Sequence, residues 1–191
     1  MKRRAELEAR TRARITESTV ELHGTLGPAR TSISAIAEHA GVRRSTVYRH
    51  FPDEEALFAA CSSHWRAANP PPDLALWAVI QDPDARLRSA LEELYADYRR
   101  TEGMRSNLLR DQLVMPLVER LMGGYRDYLA AARDTLMAGR RLRGGARARV
   151  QAAIGHALAF PTWRSLVREQ GLDDGEAAEL MCRLVAAAGS R

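Results

Sequence analysis

Residues 31–51 read Thr-Ser-Ile-Ser-Ala-Ile-Ala-Glu-His-Ala-Gly-Val-Arg-Arg-Ser-Thr-Val-Tyr-Arg-His-Phe, the pattern of a short helix, a tight turn and a second short helix. Ser32 is a natural N-cap, because its hydroxyl can accept from a free amide of the first turn. Ile33, Ile36, Ala37 and Ala40 recur at helical spacing and give that helix one apolar face. Gly41 stands where a left-handed residue would end it, and Val42 can plug the angle between the two helices.

The second helix, about residues 44–50, is polar except at Val47. A helix so short and polar is not stable alone, so its neighbours must display it for a purpose. Arg43, Arg44, Ser45, Thr46, Tyr48, Arg49 and His50 are the donors and acceptors suited to a DNA major groove, with Arg for guanine edges, hydroxyls for bases or phosphates, and Tyr and His for phosphates. A merely solvated corner normally carries interspersed acids, and residues 43–50 contain none. The segment therefore reads as a helix-turn-helix whose second helix enters the groove.

Charge supports this reading once it is mapped. The chain has 191 residues and a formal charge of +5. Residues 1–50 hold ten basic and five acidic side chains, whereas residues 51–191 hold 19 of each. The whole excess thus lies in the first quarter, on the reading helix and on the stretch from Lys2 to Arg14, which can approach a nucleic-acid backbone.

The remaining chain is punctuated by Gly24 to Pro28, Phe51-Pro52, Asn69 to Pro72, Gly139 to Gly145 and Gly171 to Gly175. The stretches between are rich in Ala, Leu, Arg and Glu, without alternating β-branched runs, so the fold class is all-α. The prolines at 70–72 mark the boundary between two lobes, because proline lacks the amide donor and forces its predecessor out of helical geometry. Helices are expected at 84–101, 103–114, 116–138, 146–170 and 175–188. Pro161 should free the carbonyl of Ala157 and kink or break the helix around it.

A chain of this length can bury roughly 70% of its unfolded surface, and it needs no disulfide or metal to hold a core. Cys61 and Cys182 form neither a disulfide framework nor a metal knuckle, so a cytoplasmic location is expected. The charged start and the lack of about 18 uninterrupted apolar residues argue against secretion and membrane insertion. No nucleophile elbow or phosphate-binding glycine loop appears, and Cys61 with His64 supplies only two potential ligands. Neither enzyme activity nor a cofactor or metal is expected.

The motifs resemble those of the TetR family of one-component bacterial transcriptional regulators. The similarity runs through Arg14-Ile15, Glu21-Leu22, Gly27, Ala29, Thr31-Ser32-Ile33, Ile36-Ala37, Ala40-Gly41-Val42, Thr46-Val47-Tyr48, His50-Phe51 and Glu55-Ala56-Leu57. Residues 162–167 with Gly171-Leu172 resemble one branch of the family. The resemblance implies a three-helix helix-turn-helix DNA-binding domain at 1–68 and a helical effector-binding and dimerisation domain at 74–191. It implies double-stranded DNA as partner, with Ser32 capping at the backbone, Ser34, Arg44, Ser45, Thr46 and Arg49 facing bases or nearby phosphates, and Tyr48 and His50 binding phosphate. In three places the chain departs from the family pattern: Arg43 replaces a small N-capping residue, Glu54 a phosphate-binding lysine, and His23 an aromatic that packs the first helix.

The same resemblance implies a homodimer through the last two helices and release from a palindromic operator by an apolar or amphipathic small molecule. Tyr95, Met104, Leu108, Met115, Tyr125, Tyr128, His156 and Trp163 are candidate pocket residues, although such a residue is more often plain core, and His156 more often a satisfied interior histidine. Arg140 to Arg149 form a second basic cluster, read as a solvated connector. The rival reading is an Arg-rich DNA-packaging protein without sequence choice.

Overall fold

The computed structural model describes residues 2–190, with side chains from residue 3 onward, and the expected approach of the Lys2 side chain to DNA lies outside it. Among the described residues all regular structure is helical and no strand forms. The chain divides into two compact units, one made of the residues up to Pro70 with Glu102–Met122, the other of Pro71–Thr101 with the residues from Gly123 onward. The segment 102–122, expected in the second domain, thus packs with the first.

In the first unit, α1 (Lys2–Thr25) precedes a single 3-10 turn at Pro28–Arg30, then α2 (Ile33–His39), α3 (Arg44–His50) and α4 (Glu54–Ala68). Ile15 of α1, Ile36, Ala37 and Ala40 of the α2 region, Val47 and Phe51 of the α3 region and Leu57 of α4 form one buried cluster. Leu22, Ile33, Val42, Ala56 and Ala60 pack around it. Asp53 caps α4 by accepting from the Ala56 amide at 2.7 Å. His23 does pack the first helix: it is buried, with its ring centroid 4.7 Å from that of Phe58. Burial is also what lowers its pKa to about 4, against the opposing charge of Asp111. Burial raises Cys61 to about 11, so it stays a thiol, 3.7 Å from His23 Nδ1.

The second unit holds α5 (Leu74–Ala78), most of α6 (Pro83–Asp111), α8 (Gly123–Met137), α9 (Gly144–Ala157), α10 (Phe160–Arg164) and α11 (Asp174–Gly189), while α7 (Pro116–Leu121) belongs to the first. A π-helical turn at Ser165–Glu169 continues α10, closed by the Gln170 amide on the Ser165 carbonyl at 3.0 Å. A capping box starts α11, with Asp173 and Glu176 each accepting from the other's backbone amide.

Helix boundaries differ from expectation in two places, and a third break falls where Pro161 is expected to put one. The helix runs through 102–103 unbroken, because Gly103 serves close approach instead of termination: a Cβ there would sit 3.1 Å from the Gly24 carbonyl oxygen. The stretch 116–138 breaks at Met122, next to Gly123 and Gly124, whose helix propensity is the weakest after proline. The stretch 146–170 breaks after Ala157, as Pro161 requires. The carbonyl that Pro161 leaves without a helical donor accepts from the Tyr95 hydroxyl at 2.9 Å, and the next one, of Leu158, accepts from the Tyr98 hydroxyl at 2.5 Å. Both tyrosines are fully buried, so their hydroxyls complete this helix end where water does not reach.

Candidate nucleic-acid interface

The corner between α2 and α3 is closed by its own residues. Ser32 accepts from the Ala35 amide at 3.1 Å and starts α2. Gly41 takes a φ of 61°, the left-handed region that favours glycine. The Val42 amide then donates to the Ala37 carbonyl at 2.9 Å and the Gly41 amide to that of Glu38 at 3.0 Å, the paired bonds of a Schellman end.

That end delivers the chain into α3 with Arg43 as N-cap, which makes no side-chain capping bond. Arg43 fills the place of a small capping residue but does not do its work. Val47 alone of α3 is buried. Arg43, Arg44, Ser45, Tyr48 and Arg49 are exposed, as are Ser32 and Ser34, whereas Thr46 and His50 are half-buried. Of the nine residues read as DNA-contacting, seven are thus open to solvent on one corner. Arg44 lies over the Tyr48 ring, 5.7 Å from its centroid, and donates to its hydroxyl at 3.3 Å. The face carries no acid from Arg43 to His50. Glu54, in the first turn of α4, is exposed and brings negative charge to that turn.

His50 is placed differently from its neighbours. Its Nε2 is buried and finds no hydrogen-bond partner among the described residues. Its pKa lies below the ordinary histidine value, through burial first and then the charges of Arg49 and Arg12, with Glu8 opposing.

Two sets of contacts around this corner escaped the sequence reading. Arg12 of α1 donates to the His50 carbonyl at 2.5 Å and lies over the Phe51 ring at 4.1 Å. The last turns of α6 hold the connection between α1 and α2: Asn107 donates to the carbonyls of His23 and Gly24 at 3.0 and 2.9 Å, Arg110 to that of Leu26 at 2.9 Å, and Asp111 accepts from the Ala29 amide at 2.9 Å. Burial would raise the Asp111 carboxyl, but the bonds from Arg110 and Ala29 and the charges of Arg110 and Arg30 outweigh it and hold the pKa below the usual range. Gly27, at φ 94°, fits beneath this contact, where a Cβ would collide with the Arg110 guanidinium and come within 2.6 Å of Asp111 Oδ2. The lone sequence signal was Gly27; nothing marked its partners some 80 residues away.

The eight candidate pocket residues are divided between the two units. Met104, Leu108 and Met115 are half-buried in the first unit, and the other five belong to the second. Tyr95 and Trp163 are fully buried, the first on the Ala157 carbonyl and the second donating to Asp174 at 2.9 Å. Tyr125 bonds the Tyr98 hydroxyl at 2.7 Å and Tyr128 donates to the Pro72 carbonyl at 3.0 Å. His156, read as an interior histidine, is exposed, with its Nδ1 3.3 Å from the Thr162 hydroxyl. Two open grooves of about 550 and 530 Å3 in the second unit are lined by other residues, chiefly Asp134, Arg141, Arg147 and Gln151 in one and Arg88, Glu92, Cys182 and Arg183 in the other.

Residues 15–61 match the family model described as bacterial regulatory proteins, tetR family. Among solved structures, a TetR-like transcriptional regulator from Rhodococcus sp. RHA1 aligns at a TM-score of 0.68 and 19% identity, covering 94% of this chain and 97% of its own. NalD, the secondary repressor of the MexAB-OprM multidrug efflux pump in Pseudomonas aeruginosa, aligns at 0.61 and 21%, covering 96% and 97%. A TetR transcription regulator from Haloarcula marismortui aligns at 0.56 and 14%, covering 95% and 97%. At these identities the likeness is one of fold. No curated protein is similar enough in sequence to count as a relative.

Proposed function

We propose, for a chain that belongs to the tetR family of bacterial regulatory proteins and carries its helix-turn-helix, the role of a cytoplasmic homodimeric repressor that reads a palindromic operator and is released by a small molecule. The observation that carries the DNA-reading part is the exposed, acid-free face of α3, with Arg44, Ser45 and Arg49 on a helix that buries only Val47. Ser32, Ser34, Arg43, Thr46, Tyr48 and His50 complete the proposed contact set, the last two at phosphates.

A dimer is the physical route to a palindrome, since two reading helices about one DNA turn apart meet two half-sites. The proposed interface is formed by α9 and α11, which pack on each other. In its favour, α11 leaves Leu180 and Leu184, one turn apart, 41% and 45% exposed. The effector is assigned to the second unit, near the half-buried Tyr125 and Tyr128 in preference to the tightly engaged Tyr95 and Trp163. Within the first unit, the bonds from Asn107, Arg110 and Asp111 to the α1–α2 connection give α6 a grip on the DNA-reading corner. An effector can use that grip only by binding better to the state in which the reading helices are wrongly spaced.

Selection of bound fragments from genomic DNA, beginning with the gene's own upstream region, tests this function. A preferred palindrome bound about 10³-fold more tightly than random duplex supports the repressor. Near-equal binding of all duplexes would favour a packaging protein, and salt dependence alone would not separate the two.

A further inference from the structure

The reading helix has few attachments of its own. It is seven residues long, lacks a side-chain N-cap, and enters the core through Val47 and, at its C-cap, Phe51. Two apolar anchors one turn apart fix where such a helix lies, yet they resist its rotation about the line joining them only weakly. An isolated helix of this length is also far below the length that holds itself together in water.

Arg12 adds a third attachment, polar where these two are apolar, at the Phe51 end of the helix. It stands three residues before Ile15, the α1 member of the same buried cluster, so its backbone is fixed by that packing. Its Nη1 donates at 2.5 Å to the carbonyl of His50, the last residue of α3, and its guanidinium covers the Phe51 ring at 4.1 Å. The bond satisfies a carbonyl at the helix end, places a cation at the negative end of the helix dipole and adds a cation–π contact, all from one planar group. Lysine has the charge without the fork and the flat face, and it cannot make both contacts at once.

We propose that Arg12 is a positioning residue for DNA reading, holding the C-terminal end of α3 so that Arg44, Ser45 and Arg49 are presented in one orientation. This deepens the operator-reading function proposed above and rests on it for its DNA consequence. The role differs from that of a phosphate-binding charge, which would strengthen binding to every duplex alike.

The experiment compares wild type with Arg12→Lys and Arg12→Gln on two probes, the tightest duplex that wild type selects from a random pool and a shuffled duplex of equal length. Backbone amide exchange along α3 is measured on the free proteins. The expected result is that both variants lose preference for the selected duplex by about tenfold or more, the scale of one lost base contact. Lysine should keep the salt dependence, and α3 amides should exchange faster in both variants while those of α1 and α4 stay protected. Retention of the full preference by lysine, with glutamine weakening both duplexes equally and lowering the salt slope by about one, would reduce Arg12 to a phosphate contact. Unchanged exchange of α3 would overturn the proposal even if wild type selected no duplex, an outcome that would itself remove the operator-reading function.

Discussion

The corner at α2–α3 and the break after α9 solve the same problem by opposite means. Both are places where a helix stops and its last carbonyls need donors. At the corner the donors are the amides of Gly41 and Val42, two and three residues beyond the last residue of α2. After α9 they are the hydroxyls of Tyr95 and Tyr98, some 60 residues earlier in the chain. The first solution is local and tolerates exposure; the second is remote and works only because the tyrosines are buried. The connection before α2 belongs with the second kind, since its amide and carbonyls are held by Asn107, Arg110 and Asp111 of α6. Substitutions should accordingly cost more at remotely closed positions than at locally closed ones.

The sharpest test is Gly27→Ala. The left-handed φ costs roughly 1–2 kcal/mol for any side chain, and displacing Arg110 and Asp111 adds roughly 1–3 kcal/mol of overpacking, so about 3 kcal/mol in all is expected from denaturant midpoints. Gly41→Ala, which has the strained φ but nothing within 4 Å of the new Cβ, should lose only the first part. Equal losses at the two glycines would dissolve the distinction.

His23 gives the next effect, visible in pH. Burial lowers its folded pKa to about 4 while the unfolded chain keeps the ordinary 6.5, so the native state refuses a proton that the unfolded state accepts. Its contribution to stability is unchanged above pH 6.5, is lost as pH falls from 6.5 towards 4, and levels off below, for a total of about 3 kcal/mol. His23→Phe should flatten the stability profile in that window, and an unchanged slope would show that another group controls it.

Tyr98→Phe removes the buried hydroxyl that serves Leu158 and Tyr125 and should cost about 1–3 kcal/mol, since a buried carbonyl loses its donor. Ser32→Ala, at the locally closed corner, should cost about 1 kcal/mol. Thermal or chemical unfolding ranks the two, and a larger loss at Ser32 would reverse the comparison.

This contrast also explains what could be read before the fold was known. The α3 limits, the Ser32 cap and the Gly41 turn follow from neighbouring residues and were legible. The break at Pro161 was legible too, because proline acts on its own helix, whereas the tyrosines that repair it were not. The break expected between 101 and 103 is absent, and Gly103 there serves close approach to Gly24, a relation that only three-dimensional packing reveals. His156, expected in the interior, is exposed beside the buried Ala157 and Leu158, because which face of α9 is covered is decided by packing and not by the residue type. At the α2–α3 corner the acid-free composition of α3 was legible, while the bonds that Arg12 and α6 make around it, from residues distant in sequence, were hidden.

The central claim is that α3 chooses sequence, and Arg49→Ala tests it most directly. In a competition between the wild-type-selected duplex and its shuffled counterpart, loss of a bidentate base contact should cost about 1–3 kcal/mol on the selected duplex and distinctly less on the shuffled one, so that preference falls. Equal weakening of both duplexes, or no change in either, would contradict the assignment of α3 as the reading helix.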